Sequence, residues 1–259
     1  MAGADERQQR AVLESVLSVL LDMRDFSTPP QIGDQVHRIV RRELGNGDPY
    51  GLAKEASTRH ALELYPRMKA LVAEARDPWD VALRLSIAGN IIDLGPGRDY
   101  DLWEVIQRVL HQPFAVDDRV ALLEALRAAP WLLYLADNAG ETVFDRVLIE
   151  ILDLPVLYAV KEGPILNDAT RADALAAGLD KVAEIVSTGS DAPGTTLSLC
   201  SEELRRLYDE AELVVAKGQA NYETLSEAGS KVFVLMQVKC PVIAADAGVP
   251  VGSIMLRQG

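Results

Sequence analysis

The sequence predicts an α/β protein: an all-helical segment over residues 1–129, then a sheet-containing segment over 130–259 whose strands run mostly parallel under helices on both faces. Two observations predict it. Up to Ala129 the apolar residues recur at helical spacing, and strand-like runs do not alternate with helix starts. After Pro130, apolar runs of strand length alternate with helix-like segments.

In the first segment, Val12, Val16, Leu17, Leu20 and Leu21 mark a helix over 8–24. Thr28-Pro29-Pro30 starts a second helix, carried by Val36, Ile39 and Val40 and stopped at Gly45. A turn cluster at 46–50 precedes a long helix with Ala53, Ala56, Ala61, Leu64, Met68 and Leu71 on it. Asp77 and Pro78 read as the cap and first residue of a helix over 81–92. There Asn90 and Asp93 lie three apart and share a face, in either a packed polar interface or a polar cavity. Helices near 102–110 and 117–128 complete a wholly helical segment.

In the second segment, strands are predicted at 131–136, 155–160, 181–186, 213–216 and 231–235, with a last short strand at 253–257 able to add to an edge. Helices are predicted at 142–152, 171–178, 201–210 and 222–229. The chain shows no repeat and no low-complexity linker, so the two segments are expected to pack closely.

In such a sheet, ligands bind at the carboxyl ends of the strands. The loop after the first strand, Asp-Asn-Ala-Gly-Glu at 137–141, places the Asp137 carboxylate and the Asn138 carboxamide there. These are hard oxygen donors suited to Mg²⁺, Mn²⁺ or Ca²⁺, and equally common helix caps. Asn167 and Asp168 form a second oxygen-rich pair after the next strand, with Thr170 as cap of the helix that follows. The loop at 187–196 has P-loop glycine spacing, but Thr195 stands where a lysine is required, which excludes that mode of nucleotide binding. A loop of small residues around Gly189 can still cradle a phosphate through its N–H groups. Lys217, at the mouth of a parallel strand, is placed for an anion. Together these strand ends suit a metal whose shell a substrate phosphate completes.

The net charge of −13, from 26 basic and 39 acidic residues, argues against general nucleic-acid or anionic-membrane binding. It leaves room for a small phosphorylated metabolite at a local cation. Cys200 and Cys240 form no Cys-x-x-Cys pair and read as thiols of a reducing compartment. With a polar N-terminus unlike a signal or transit peptide and no apolar run of spanning length, a cytoplasmic protein is expected. His37, His60 and His111 lie outside the strand-end motifs and are read as surface or packing residues.

The motifs at 137–141, at 164–170 (Pro-Ile-Leu-Asn-Asp-Ala-Thr), at 217–223 (Lys-Gly-Gln-Ala-Asn-Tyr-Glu) and at 239–244 (Lys-Cys-Pro-Val-Ile-Ala) resemble those of the metal-dependent damage-control phosphatases. Gly-Asn-Ile-Ile-Asp at 89–93 and Asp-Pro-Tyr at 48–50 are similar to that family's helical-domain motifs, so the resemblance runs from about Asp48 to near the end of the chain. It implies a Rossmann-like three-layer α/β/α domain joined to an N-terminal helical domain, with a divalent metal between them. It also implies Asp137, Asn138 and Asp168 as metal ligands and Lys217 on the phosphoryl group. Asn90 and Asp93 would reach the cleft, and Gly140 and Glu141 would border the substrate. The implied cofactor is Mn²⁺ or Mg²⁺, with Co²⁺ or Ni²⁺ as other occupants. The implied reaction is hydrolysis of sugar phosphates, phosphopantetheine-like compounds or damaged phosphometabolites. The Cys-x-x-Cys that many relatives carry near the N-terminus is absent here.

Two alternatives differ in kind. A carboxyl methyltransferase using S-adenosylmethionine, an activity proposed within the same family, needs a glycine-rich loop after the first strand. The loop at 137–141 has one glycine beside two hard ligands. A non-catalytic protein stapled by its metal would lose stability on chelation and show no turnover.

Overall fold

The computed structural model describes residues 4–21, 29–91 and 101–259. Its elements run α1 (Glu6–Leu20), α2 (Pro29–Leu44), α3 (Gly51–Glu74), α4 (Pro78–Gly89), α5 (Leu102–His111), β1 (Phe114–Asp117), α6 (Arg119–Ala128), β2 (Leu132–Leu135), α7 (Thr142–Ile149), β3 (Val156–Val160), α8 (Arg171–Ala177), β4 (Glu184–Ser187), α9 (Glu202–Glu210), β5 (Val214–Lys217), α10 (Gln219–Leu225), β6 (Val232–Gln237), α11 (Pro241–Ala247) and β7 (Ile254–Gln258). Local chemistry sets several boundaries. Asp77 accepts from the Asp80 N–H and starts α4, with Pro78 in its first turn. The Thr170 hydroxyl and N–H both donate to Asp173, at 2.6 and 2.9 Å, to open α8.

Among the described residues the strands form one seven-stranded sheet in the order β1-β7-β6-β5-β2-β3-β4. All neighbours pair parallel except β6 and β7, so the expected mostly parallel sheet is present. Two expectations are corrected. The first segment is not wholly helical, because Phe114–Asp117 forms an edge strand beside β7. Consequently β7 is not itself the edge, and the helix expected over 117–128 starts only at Arg119. Four residues alternating half-buried and exposed leave too short a pattern to separate from a loop. The strand expected at 181–186 is displaced: 179–181 form a 3₁₀ turn and β4 begins at Glu184.

The pleat divides the core into two layers. Leu132, Tyr134, Tyr158 and Val215 face α4, α5 and α7 with their Leu83, Ile87, Ile106, Phe144 and Val147. Leu133, Leu135, Val214 and Ala216 face Leu204, Tyr208, Tyr222 and Ile243 of α9, α10 and α11. One layer therefore contains side chains from both segments, with α4 laid against α7. Among the described residues no helix is long and apolar enough to cross a membrane.

The connection reverses direction at β2. From β2 the chain steps outward to β3 and β4, then returns to place β5 on the other side of β2, followed by β6. The carboxyl ends of β2 and β5 flank the resulting crevice, the ligand position of open α/β sheets.

Candidate functional site

Asp137 and Asn138 leave the end of β2, and Lys217 and Gly218 the end of β5, on the two sides of this switch point. A third loop is stitched to the first. Ala169 N–H donates to Asp137 O at 2.7 Å, Ala139 N–H donates to Asn167 O at 2.8 Å, and Asn138 and Asp168 form an isolated antiparallel bridge. The turn that delivers Asp168 closes through its N–H on Ile165 O and holds Leu166 at φ 48°, a left-handed conformation unfavourable for a branched side chain. Backbone pairing, not side-chain attraction, thus brings Asp137, Asn138 and Asp168 together.

Asp137 is held from three directions. Its Oδ2 accepts from Asn90 Nδ2 at 2.7 Å and from Asn138 Nδ2 at 2.8 Å. Gly218, at φ 82°, lies against it so closely that a Cβ there would stand 1.8 Å from Oδ2. Only glycine permits both that conformation and that approach. Asn90 is fully buried; it also donates to Glu141 Oε2 at 3.1 Å and accepts from Gln237 N–H at 3.2 Å. Neither Asp137 nor Asn138 caps α7.

Lys217 is fully buried, and its three N–H donors are engaged. They reach Glu141 Oε1 at 2.5 Å, Asp145 Oδ1 at 2.7 Å and Ser86 O at 3.0 Å. The expectation of an ammonium open to a phosphate is therefore corrected. Lys217 lies beneath the site, paired with Glu141 at the N-cap of α7 and with Asp145 in its first turn. Burial works against its charge, but Asp145 and Glu141 outweigh it and hold the ammonium above its usual range. Asp145 also accepts from the Tyr134 and Tyr158 hydroxyls at 2.7 and 2.8 Å and from Ser86 Oγ at 2.9 Å. Glu141 Oε2 receives Asn138 Nδ2 at 2.9 Å, which joins this network to Asp137.

Asp168 is also buried. Its Oδ2 has no hydrogen-bond partner among the described residues, and Lys161 Nζ stands 3.6 Å from it. Burial pushes the Asp168 carboxyl up to about 6 against the opposing pull of Lys161. Burial and the Glu141 and Asp168 charges hold Asp137 well above the usual carboxylate range, with Lys239 pulling the other way. Two carboxylates that resist ionisation and a buried oxygen without a hydrogen bond fit a hard cation, which would satisfy both. Among the described residues no three His, Cys, Asp or Glu side chains gather as a ligand set, so the fit depends on Asn138 as third donor. Its Nδ2 is taken by Asp137 and Glu141, so Oδ1 is the donor left to a cation.

The other expected site residues are distributed differently. Gly140 is buried against α3, where a Cβ would stand 2.1 Å from Ser57 Oγ, so it packs two elements together. Gly189 is exposed, and its N–H donates to Ser187 Oγ at 2.9 Å, which takes up the donor expected to cradle a phosphate. Asp93 lies outside the described residues.

Tyr134, Asp145, Tyr158, Asn221 and Gln237 were not anticipated. Asn221 donates to Ala136 O and Lys217 O, at 3.2 and 2.8 Å, and ties the ends of β2 and β5 together. Asp145 had a signal: it falls four residues after Glu141 on a helix otherwise apolar on that face.

Residues 1–255 match the family model described as the damage-control phosphatase ARMT1-like domain. The chain is 35% identical to a damage-control phosphatase of Pyrococcus horikoshii over 97% of its own length and 88% of the relative's. It is 32% identical to a damage-control phosphatase of Archaeoglobus fulgidus over 98% and 91%. The crystal structure of a DUF89 family protein from Pyrococcus horikoshii superposes with a TM-score of 0.89 at 32% identity, covering 99% of this chain and 92% of that one.

Proposed function

Because the chain belongs to the damage-control phosphatase ARMT1-like domain family, we propose that it is a phosphatase that uses a divalent cation to hydrolyse small phosphomonoesters. The substrates are sugar phosphates, phosphopantetheine-like compounds or damaged phosphometabolites, and the cation is Mn²⁺ or Mg²⁺. The observation that carries the reading is the meeting of Asp137, Asn138 and Asp168 at the switch point, with Asp168 Oδ2 buried and without a hydrogen bond beside the Lys161 ammonium at 3.6 Å.

Asp137, Asp168 and the Asn138 amide oxygen would hold the cation. When bound, it draws charge from the phosphoryl oxygens and so stabilises the transition state. The chain's own residues supply the geometry. Asn90, fixed by Gln237 N–H, holds Asp137 Oδ2 in place. Glu141, tied down by Lys217, holds the Asn138 amide. Lys217 pairs with Glu141 and Asp145 behind the crevice and so fixes the positions of both side chains. In hydrolysis an oxygen nucleophile bonds to phosphorus while the ester P–O bond breaks, and the departing alkoxide takes a proton.

The test is release of inorganic phosphate from a panel of sugar and cofactor phosphomonoesters with Mn²⁺, Mg²⁺, Co²⁺ or chelator, beside Asp137→Ala. Cation-dependent turnover that falls at least ~10²-fold in the variant is expected. Absence of phosphate release with every cation, alongside a melting temperature lowered by chelation, would leave the site a structural one.

A further inference from the structure

A cavity of about 1250 Å³ opens between α5, the end of β6 and the turn at 250–253. Val105, Arg108 and Gln112 line it at the 3, 4 and 7 spacing of one helical face, with His111 beside them. Gln237 and Lys239 form the opposite wall. Hydrogen bonds hold the wall together: Gln112 Nε2 and Gln237 Nε2 both donate to Gly252 O, at 2.9 and 3.1 Å, while Gly252 N–H donates to Val238 O at 2.8 Å.

Three features mark this cavity. It adjoins the switch-point cluster, since Gln237 N–H bonds to the Asn90 side chain that holds Asp137. Its volume exceeds the ~300–1,000 Å³ common for small-molecule sites, so it has room for more than a phosphoryl group. Its described lining carries Arg108, His111 and Lys239 and no carboxylate, in a chain with 39 acidic residues against 26 basic. The charged residues among the described lining, Arg108 and Lys239, are both cationic, and such charges on a cleft wall attract anionic groups. The His111 ring is fixed through Nδ1 on Gln107 O at 2.8 Å, which leaves Nε2 as its other polar atom.

We propose that this cavity receives the non-reacting end of the substrate and that this end carries a second anion, a carboxylate or a phosphate, paired with Arg108. The proposal rests on the phosphatase reading of the neighbouring cluster and adds a substrate class to it: phosphomonoesters with a second acidic group several bonds from the ester that is cleaved. Arg108 offers a planar fork suited to either anion.

The experiment compares kcat/KM of the Mn²⁺-loaded protein on four probes: p-nitrophenyl phosphate, glucose 6-phosphate, 6-phosphogluconate and fructose 1,6-bisphosphate. Wild type is set beside Arg108→Ala and Arg108→Glu. The doubly anionic probes are expected to be preferred at least about tenfold over glucose 6-phosphate, with that preference abolished in Arg108→Ala and reversed in Arg108→Glu. Turnover of p-nitrophenyl phosphate is expected to be unchanged, which reports that the variants fold and that the reacting centre is intact. Which of the two doubly anionic probes is better distinguishes carboxylate from phosphate. Equal loss on all probes, or no loss on any, overturns the proposal. If no probe is hydrolysed with any cation, the phosphatase reading fails by itself. Calorimetric binding of 6-phosphogluconate and fructose 1,6-bisphosphate then decides the subsite: affinity weakened by Arg108→Glu supports it, and absent or unaltered binding overturns it.

Discussion

Lowering the pH of chelator-treated protein from about 7.5 to about 5 is expected to raise its melting temperature, because a buried carboxyl at the site gains a proton. Burial pushes Asp168 up to about 6 in the folded chain, whereas an unfolded aspartate titrates near ~3.9. Between those values the folded state holds a proton that the unfolded state has released. The stabilisation is therefore complete below the unfolded value and is lost as pH rises through about 6. Over the stated interval the linkage relation gives about 1.4 kcal/mol from Asp168 alone. For a chain of this length that is a rise of roughly 3–6 °C. Asp137, raised by burial and by Glu141 and Asp168, acts in the same sense. Asp117, lowered by its hydrogen bond to Arg119, acts oppositely at a lower pH, and His37, lowered by burial and Arg41, acts oppositely within the interval, so the Asp168 share is read from the difference between wild type and Asp168→Asn. Thermal unfolding by circular dichroism, in wild type and Asp168→Asn, tests the group: titrations that Asp168 does not touch cancel in the difference, while Asp137 loses the part of its upward shift that Asp168 causes, so the difference reports the pair. Asp168→Asn is expected to lack the Asp168 share of the rise. Excess Mn²⁺ is expected to flatten or reverse the wild-type dependence, because cation and proton compete for the same oxygens. Equal pH dependence in the two chelator-treated proteins would refute the reasoning.

Replacing Lys217 with Met leaves Glu141 and Asp145 without their cation, and a loss of about 3–5 kcal/mol in urea unfolding is expected. A loss under about 1 kcal/mol would refute the expectation that these carboxylates depend on the buried ammonium. Gly218→Ala is expected to drive Asp137 from its position and weaken Mn²⁺ binding at least about tenfold by calorimetry. Gly229→Ala, at φ 90° but in open space, supplies the comparison: it carries the backbone cost and is expected to keep its Mn²⁺ affinity. Equal loss in both would mean that backbone strain, not contact with Asp137, controls the site.

The parallel sheet was legible because each buried strand is a continuous apolar run bounded by turn residues, as at 132–135 and 156–160. Asp137 and Asn138 stood out as polar residues directly after such a run, although a helix cap reads the same way, and their meeting with Asp168, well past the end of its own strand, depends on backbone pairing between the two loops. Lys217 misled because its partners are 72 and 76 residues away in sequence. A strand-end lysine with unknown neighbours reads as a free cation; beside Glu141 and Asp145 it becomes the counter-ion of a buried cluster. The two tyrosines were visible as apolar strand residues, but their hydroxyls, which need partners once buried, announced a polar centre under the sheet. β1 was not legible, since its place is set by β7, some 140 residues later. The helix α11 was readable in retrospect, from Pro241 at its start and Gly248 at φ 70° after its end.

A buried ammonium between two carboxylates is a weak device for stability. Apolar side chains of similar volume often do as well or better, because desolvation offsets the attraction. Its geometry is more informative. Lys217 fixes Glu141 through Oε1, which leaves Oε2 aimed at Asn138 and Asn90. Asn90 then spans three otherwise separate parts: α4 of the first segment, the β2 loop through Asp137, and β6 through Gln237 N–H. Gln237 continues to Gly252 and the wall of the large cavity. The first segment is therefore more than a lid laid on a finished site. Without Asn90, Asp137 would lose one of its two side-chain donors and the crevice would lose its tie to the cavity. A helix that had to supply one buried asparagine at a fixed point also has to be packed immovably, and α4 is: from Ala82 to Gly89 every residue is buried.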